Sequence, residues 1–199
     1  MSLSSSWLLL SSLLFSAYLL GSISTAVLIG RTLGISDLRQ HGSGNPGATN
    51  VLRILGKKAA VITLLGDVSK GIIPIVVGRA NHLSTQWIDT LAFMSFLGHL
   101  YPVFFRFQGG KGVATGLGIV HLVIWPIGLT MDAIWLIVAK FWGYASLASI
   151  VSWLFGSGLG LWLAPQHAPL LLGMSLLIMF KHKSNIKKLW IGEESRFGQ

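Results

Sequence analysis

The sequence predicts an all-α integral membrane protein with seven transmembrane helices, two of them short. Hydrophobic residues make up 52% of the 199 residues and charged residues only 11%, whereas soluble domains carry about a quarter charged residues. The mean hydropathy is +0.69. Because lipid offers backbone groups no hydrogen-bond partners, apolar segments of spanning length must be helical. We interpret residues 1–199 as a single polytopic membrane domain.

Six apolar windows of roughly spanning length follow one another along the chain. They run from about Trp7 to Ile29, Ala59 to Val77, Trp87 to Phe107, Val113 to Ala139, Tyr144 to Leu163 and Pro169 to Phe180. The first lacks an early cation and a small-x-small cleavage site, so we expect a retained spanning helix and not a signal peptide. The fourth is too long for one span and is broken near Pro126, so we expect two short helices that meet around Trp125 to Asp132. Two short spans and a re-entrant hairpin both fit this window.

Cationic residues lie almost entirely on one set of the connections between these windows. The loop from Arg31 to Lys58 holds five Lys or Arg residues and the tail from Lys181 holds five more, whereas the opposite connections hold only Arg79. By the positive-inside rule, the N-terminus lies outside and the C-terminus inside. The formal charge of +9 then belongs to cytoplasmic loops, and we expect no nucleic-acid partner.

A run of small and polar residues, Gly42-Ser43-Gly44-Asn45-Pro46-Gly47-Ala48-Thr49-Asn50, lies in the first basic loop. It matches G-x-G-x-x-G, but the strand and acidic residue of a dinucleotide site are missing. Glycines let the backbone turn its N–H groups towards an anion, and Arg53 follows within one turn if a helix begins near Ala48. An ordinary turn-rich loop is the simpler explanation, but it needs neither this length nor this density of polar residues. The candidate phosphate-binding residues are Gly42, Ser43, Gly44, Asn45, Gly47, Thr49, Asn50 and Arg53.

A second glycine-rich motif, Gly109-Gly110-Lys111-Gly112-Val113-Ala114-Thr115, leads directly into an apolar helix. A helix N-terminus attracts phosphate, and Lys111 adds a positive charge. The motif is not a Walker A loop, because Gly112 replaces the Ser or Thr that would hold magnesium. A tight turn with a snorkelling lysine is the plainer alternative. The candidate anion-binding residues here are Gly109, Gly110, Lys111 and Gly112.

His182 and Asn185 are three residues apart, so we expect them on one helix face at the cytoplasmic end of the last span. There His182 is a candidate proton acceptor and Asn185 a candidate ligand for a substrate hydroxyl. An interfacial histidine in a basic tail fits the same residues equally well. Asp67 and Lys70 are expected to pair with each other or to brace Arg53 or Lys111, since an isolated charge in a span is costly.

The remaining histidines do not suggest a metal site. His41, His82, His121 and His167 have no metal-ligand spacing and are interpreted as interfacial or loop residues, and His99 as packing near the end of the third span. The chain has no cysteine, which excludes a disulfide framework, a thiol nucleophile and a Cys-ligated zinc site. We expect neither a metal nor a cofactor.

Together these motifs resemble those of the bacterial acyl-phosphate-dependent glycerol-3-phosphate acyltransferases, the PlsY family. The likeness includes the two glycine-rich motifs, Gly98-His99 through Phe105, and His182 with Asn185 and Ile186, and it extends from about Gly21 to Arg196. It implies a seven-helix enzyme of the bacterial inner membrane with a periplasmic N-terminus and a cytoplasmic active site. The residues that match the family's functional positions are Ser43, Arg53, Lys111, His182 and Asn185. It further implies that the second motif binds glycerol 3-phosphate, that Ser146 lines the site and that Glu194 has a structural role.

The resemblance implies acyl transfer from acyl phosphate to the sn-1 hydroxyl of glycerol 3-phosphate, which gives lysophosphatidic acid and phosphate for phospholipid biosynthesis. The expected partners are both substrates and membrane lipid, with a soluble acyl-phosphate-producing enzyme as a further candidate. Either His182 or a substrate phosphate oxygen takes the hydroxyl proton, and we favour the phosphate. A small transporter or channel for an anionic metabolite is the alternative, weakened by the absence of an internal repeat. A scaffold that binds anionic lipid is a third possibility.

Overall fold

Long apolar stretches, punctuated by Gly, Ser and Pro, give nine α-helices within residues 3–197, the part of the chain that the computed structural model describes. No β-strand occurs in that range. In chain order the helices are α1 (Leu3–Ser22), α2 (Thr25–Thr32), α3 (Ala48–Ala80), α4 (Thr85–Leu100), α5 (Val113–Val123), α6 (Trp125–Trp142), α7 (Ala145–Leu163), α8 (Ala168–Lys181) and α9 (Lys183–Trp190).

The outer surface of the helices is apolar and the interior contains polar side chains, which is the arrangement expected in lipid. Large side chains such as Trp162 (80% exposed) face outward, whereas Asp67 (2% exposed) and Lys70 (4% exposed) are buried. Within residues 3–197, three helical segments are long and apolar enough to cross a membrane, Ala48–Ala80, Thr85–Phe105 and Ala145–Leu163, and the bent α1–α2 pair qualifies as a fourth. The chain is therefore an all-helical membrane protein.

The first apolar window is not one continuous helix, contrary to the prediction. α1 and α2 meet at an angle of 43°. Ser24 adopts an extended backbone and its hydroxyl accepts a hydrogen bond from the Val27 N–H, so it caps a new helix instead of continuing the old one. The break leaves the Ile23 carbonyl free, and the Lys70 ammonium donates to it at 2.9 Å.

α3 extends 33 residues and begins earlier than the second apolar window. Its start at Ala48 confirms the helix expected there, and the last part of the predicted loop, residues 48–58, is therefore helical. The helix is kinked at Gly56, whose φ of 81° is accessible mainly to glycine. The kink separates the N-terminal turns, which carry Arg53, from the longer part of the helix that begins at Lys57.

The predicted break in the fourth window is confirmed at Ile124, where α5 ends and α6 begins. Pro126 lies in the first turn of α6, where its missing N–H costs nothing. At about 1.5 Å per residue, α5 is only about 16 Å long, roughly half the thickness of a bilayer core. α5 packs against α3 through Gly71 and Gly118, each of which abuts a main-chain oxygen of the facing helix.

Candidate active site

A cavity of about 970 Å³ opens where the loop before α3 meets the first turn of α5 and the segment after α8. One end is polar and lined by the side chains that the two glycine-rich motifs and the tail contribute. The other end is apolar and lies between α3 and the α5–α6 pair, with Leu64, Val68, Leu117 and Leu136 among its walls. The cavity therefore joins a charged pocket to an apolar groove.

The first glycine-rich loop is folded around the side chain of Asn50, in the first turn of α3. Its Oδ1 accepts a hydrogen bond from the Ser43 N–H at 2.9 Å, and its Nδ2 donates to the His41 carbonyl at 3.0 Å. Gly42 and Gly44 have φ angles of 58° and 72°, which the tight turn requires. Asn50 thus holds the loop in shape, and Ser43 lies at the cavity wall.

Four side chains form a hydrogen-bonded chain along the polar end. Lys111 Nζ donates to Asn185 Oδ1 at 2.6 Å, and Asn185 Nδ2 donates to Glu194 Oε1 at 2.7 Å. Glu194 Oε1 also accepts from Ser146 Oγ at 2.6 Å. The amide of Asn185 is therefore fixed in orientation, with its oxygen on the cation and its nitrogen on the carboxylate.

Arg53 approaches the cavity from α3 and is held by the backbone of residues 193–197, which we call the C-terminal segment. Its Nη2 donates to the carbonyls of Ser195 and Arg196, each at 3.2 Å. Its Nε is buried and has no hydrogen-bond partner among the described residues. A buried donor without a partner is costly, so this N–H is suited to an anionic ligand.

Burial sets the protonation of the two titratable groups that face each other here. It lowers the pKa of Lys111 to about 8, and the nearby Lys188 and Arg53 charges lower it further against the opposing effect of Glu194. Burial also lowers the pKa of His182 to about 4, with a second contribution from the positive charge of Lys111. His182 Nδ1 lies 2.8 Å from the Ile178 carbonyl, which can only accept, so Nδ1 carries the proton and Nε2 keeps its lone pair.

The sequence matches the family model described as glycerol-3-phosphate acyltransferase over residues 11–192. The chain belongs to the glycerol-3-phosphate acyltransferase family. The glycerol-3-phosphate acyltransferase of Methylococcus capsulatus is 48% identical over 185 residues, which cover 92% of this chain and 93% of the relative. That of Burkholderia cenocepacia is 49% identical over 187 residues, 92% of this chain and 88% of the relative.

Two solved structures of PlsY, an integral membrane glycerol 3-phosphate acyltransferase, share the fold of this acyltransferase. The glycerol 3-phosphate form has a TM-score of 0.89 and 40% identity, and the match covers 95% of this chain and 96% of that one. The lysophosphatidic acid form has a TM-score of 0.86 and 38% identity, with 95% of each chain covered. The protein is therefore an acyltransferase of this membrane family.

The structure of this acyltransferase brings all five predicted catalytic residues to the same cavity. Ser43, Arg53, Lys111, His182 and Asn185 line it. Of the predicted substrate-binding residues, those in the cavity wall are Asn45, Gly47, Thr49, Asn50, Gly112 and Ser146. The predicted residues that do not line the cavity are Gly42, Gly44, Gly109 and Gly110.

His182 differs from the prediction in its backbone setting. It lies at the junction between α8 and α9, and not within a continuous helix. Its carbonyl still accepts from the Ile186 N–H at 2.9 Å, so Asn185 in α9 remains on the same side. The junction places both side chains at the cavity although the helix axis changes there.

Sequence reasoning did not assign Asp67, His99, His121 or Asp132 to the site, although all four line the cavity. His121 was interpreted as an interfacial or loop residue; it lies in the last turn of α5 and not in a loop, and its Nε2 is 2.9 Å from Asp132 Oδ2. His167 is in a connection, as predicted, but is buried, with Nδ1 2.8 Å from Asp89 Oδ2. No local spacing could reveal these contacts, since the partners are far apart in sequence.

The predicted Asp67–Lys70 ion pair is confirmed, with 2.8 Å between Oδ1 and Nζ. The pair does not brace Arg53 or Lys111, because Lys70 donates instead to the Ile23 carbonyl that the α1–α2 break releases. Two buried opposite charges on one helix thereby satisfy each other and tie α3 to the start of α2.

Proposed function

We propose that the protein transfers a fatty acyl group from acyl phosphate to the sn-1 hydroxyl of glycerol 3-phosphate. The products are lysophosphatidic acid and inorganic phosphate, and the reaction begins phospholipid biosynthesis. The observation that carries the proposal is the single cavity that joins a cationic pocket to an apolar groove. The related enzymes are named for glycerol 3-phosphate, and solved relatives were obtained in the glycerol 3-phosphate and lysophosphatidic acid forms.

The cationic end suits the phosphoryl groups of two substrates. Lys111 supplies an ammonium, and Arg53 supplies a partly exposed guanidinium whose buried Nε has no partner among the described residues. α5 contributes the N–H groups of its first turn, after Gly112. Lys111 is oriented by Asn185 and Arg53 by the C-terminal segment. Cations fixed in place before the substrate arrives bind an anion without a further ordering cost.

The apolar groove suits the acyl chain of the donor. α3 contributes Val61, Leu64 and Val68 to it, and the facing wall comes from Leu117 and Leu136. A chain that lies in this groove has its carbonyl at the polar end, where the two phosphates meet. The substrates are then held with hydroxyl and carbonyl adjacent, and such orientation lowers a barrier by roughly 7–11 kcal/mol.

In the proposed step, the sn-1 oxygen attacks the acyl carbonyl carbon, an ester C–O bond forms and the bond from carbonyl carbon to phosphate oxygen breaks. The hydroxyl proton leaves with a phosphate oxygen, so no protein group gains a proton overall. His182 Nε2 is an acceptor that orients the hydroxyl, and the depressed pKa of His182, about 4, makes it a weak base at neutral pH. Ser43 and Asn185 position the reacting groups.

We further propose seven membrane crossings in the bacterial inner membrane, with the N-terminus periplasmic, the C-terminus and the cavity's polar end cytoplasmic, and residues 1–199 as one domain. The charge distribution supports this orientation, since the cavity's polar residues share the basic loops and tail. Acyl phosphate made by a soluble enzyme would reach the polar end directly from the cytoplasm.

The test is product formation by the purified protein in detergent micelles supplied with acyl phosphate and glycerol 3-phosphate. We expect lysophosphatidic acid and phosphate in equal amounts. Arg53→Ala and Lys111→Ala should each raise KM or lower kcat by about 10²-fold or more, because each removes a preorganised cation. Lys58→Ala, an exposed cation outside the cavity wall, is the matched control and should be near wild type. Unchanged kinetics in both cavity variants would refute the phosphate assignment.

A further inference from the structure

We propose that His99 is a positioning residue for the Lys111 loop, and that residue 110 is glycine because the His99 imidazole occupies the space of its side chain. The inference rests on the proposed function, since it assigns a role to groups behind the phosphate pocket. It differs from the interpretation of Gly110 as an anion ligand, because Gly110 lies outside the cavity wall.

The loop rests directly on the end of α4. The Gly110 N–H donates to the His99 carbonyl at 3.1 Å, so the main chain of the loop is attached to the end of α4. A Cβ built on Gly110 would overlap Nε2 of the His99 ring. Gly110 does not have a positive φ, so backbone strain does not require glycine here. Space alone does.

On the side away from the loop, the imidazole faces the buried Asp67–Lys70 ion pair. It is buried, with 7% of the residue exposed, and its Nδ1 lies 3.8 Å from Asp67 Oδ1. Asp67 is fixed by Lys70, and Lys70 by the Ile23 carbonyl. The His99 ring therefore lies between the buried ion pair and residue 110, and this packing opposes its displacement.

The next residue is Lys111, whose ammonium must meet Asn185 Oδ1 at 2.6 Å. A displacement of the loop at residue 110 would shift this ammonium relative to Asn185 and the phosphate pocket. His99 itself lies in the cavity wall beneath the loop. The imidazole thus fixes how far Lys111 projects into the pocket.

The neighbouring glycines provide internal controls because each meets a different obstacle. A Cβ on Gly109 would overlap the main-chain oxygen of His99, which no side-chain substitution removes. Gly112 has a φ of 89° and would meet the Phe96 ring, so an alanine there is strained in its backbone as well. Only the obstacle at Gly110 is the tip of the His99 side chain.

The experiment is a double-mutant cycle on the full-length protein with Gly110→Ala, His99→Ala and the two combined. Titration calorimetry measures the Kd for glycerol 3-phosphate, and steady-state kinetics measure KM and kcat. We expect Gly110→Ala to weaken binding by about 10- to 100-fold, the effect of a small misplacement of a binding group. The combined variant should bind nearly as well as His99→Ala alone. In Gly110→Ala, we expect KM to rise and kcat to change little.

Gly109→Ala combined with His99→Ala is the matched control and should show no recovery. A Gly110 double variant as weak as the sum of the two single effects would overturn the proposal, because glycine would then be needed by the ligand itself. Recovery of the melting temperature without recovery of Kd would overturn it as well, since His99 would then serve folding alone.

Because Kd is measured without turnover, failure of the two proposals can be told apart. A wild-type protein that binds glycerol 3-phosphate but forms no product would count against the proposed reaction. The double-mutant cycle, read from Kd, would still test the role of His99. A wild-type protein that does not bind glycerol 3-phosphate would overturn both proposals.

Discussion

Lys111 and His182 show how burial assigns opposite charge states to two neighbouring groups. Desolvation disfavours the charged form of each, and it lowers the pKa of Lys111 to about 8 and that of His182 to about 4. At neutral pH the lysine is still mostly cationic, whereas the histidine is neutral. The pocket therefore presents a positive charge beside a lone pair, the combination that a phosphorylated alcohol requires.

The Lys111 pKa predicts that glycerol 3-phosphate binding weakens in mild alkali. Below its pKa of about 8 the free enzyme carries the ammonium, and above it the charge is lost, so kcat/KM should fall by up to about tenfold for each further pH unit. A pH profile of kcat/KM measures this. Lys111→Arg is the control: a guanidinium stays charged, so its profile should remain flat in that range even if its affinity is lower. The same alkaline fall in both proteins would locate the titration elsewhere.

His182→Gln separates the two candidate proton acceptors. If a phosphate oxygen takes the proton, glutamine can still accept a hydrogen bond from the hydroxyl, and turnover should fall by less than about tenfold. If His182 is the base, the loss should reach about 10²–10⁴-fold. The measurement is kcat at saturating substrate, and His167→Gln, at a buried histidine outside the cavity wall, controls for general destabilisation.

At the scale of elements, the C-terminal segment completes the site although it forms no helix. Its carbonyls hold Arg53, Glu194 holds Asn185 and Ser146, and the Phe197 ring packs edge-on against Trp135 with 6.0 Å between ring centroids. The Phe197 N–H donates to the Gly143 carbonyl at 2.8 Å, which closes the segment onto the α6–α7 turn.

Removal of residues 193–199 should therefore inactivate the enzyme without unfolding the helices. Arg53 and Asn185 lose their partners, so we expect kcat/KM for glycerol 3-phosphate to fall by about 10²-fold or more. Kinetics together with the helical circular dichroism signal check this. Glu193→Gln, which changes an exposed residue of the same segment, should behave like wild type. Normal activity after the truncation would show that Arg53 needs no support from the tail.

The buried Asp67–Lys70 pair predicts that the stability of the fold depends strongly on keeping both charges or removing both. Lys70→Met leaves a carboxylate buried without its cation and should destabilise the fold by about 3–5 kcal/mol. Asp67→Asn with Lys70→Met removes both charges and should cost less than the single change. Thermal unfolding in one detergent measures the difference. A double variant less stable than Lys70→Met would show that the pair contributes more than mutual neutralisation.

At the scale of the whole molecule, the orientation in the membrane decides whether the polar end of the cavity opens to the cytoplasm or to the outside. The chain has no cysteine, so single cysteines report accessibility without background. We expect a membrane-impermeant maleimide to label Asn81→Cys in intact cells and Gln40→Cys only after permeabilisation. The reverse pattern would invert the proposed orientation.

Trp125→Cys tests the α5–α6 pair in the same assay. Trp125 is 64% exposed at the break between the two helices. Seven crossings require α5 and α6 to be two short spans that meet at the outer face, so we expect this cysteine to be labelled from outside. A cysteine that stays unlabelled would instead indicate a re-entrant hairpin and two fewer crossings, which would overturn the proposed number.

The sequence by itself determined the helical membrane class, the break near Pro126, the helix start at Ala48 and the five predicted catalytic residues that line the cavity. These follow from local causes: apolar length, a missing N–H, glycine's backbone freedom and polar groups that lipid does not explain. The family likeness rests on the same local motifs.

Only the tertiary structure decided that Gly110 meets His99, that Arg53 is held by the carbonyls of Ser195 and Arg196, and that His121 faces Asp132. It also decided that the first window bends at Ser24, where a freed carbonyl receives Lys70. Each of these contacts joins elements that packing brings together, and a linear pattern does not encode which helix faces meet. Local sequence motifs identify the candidate reacting groups, whereas helix packing determines which residues hold those groups in position.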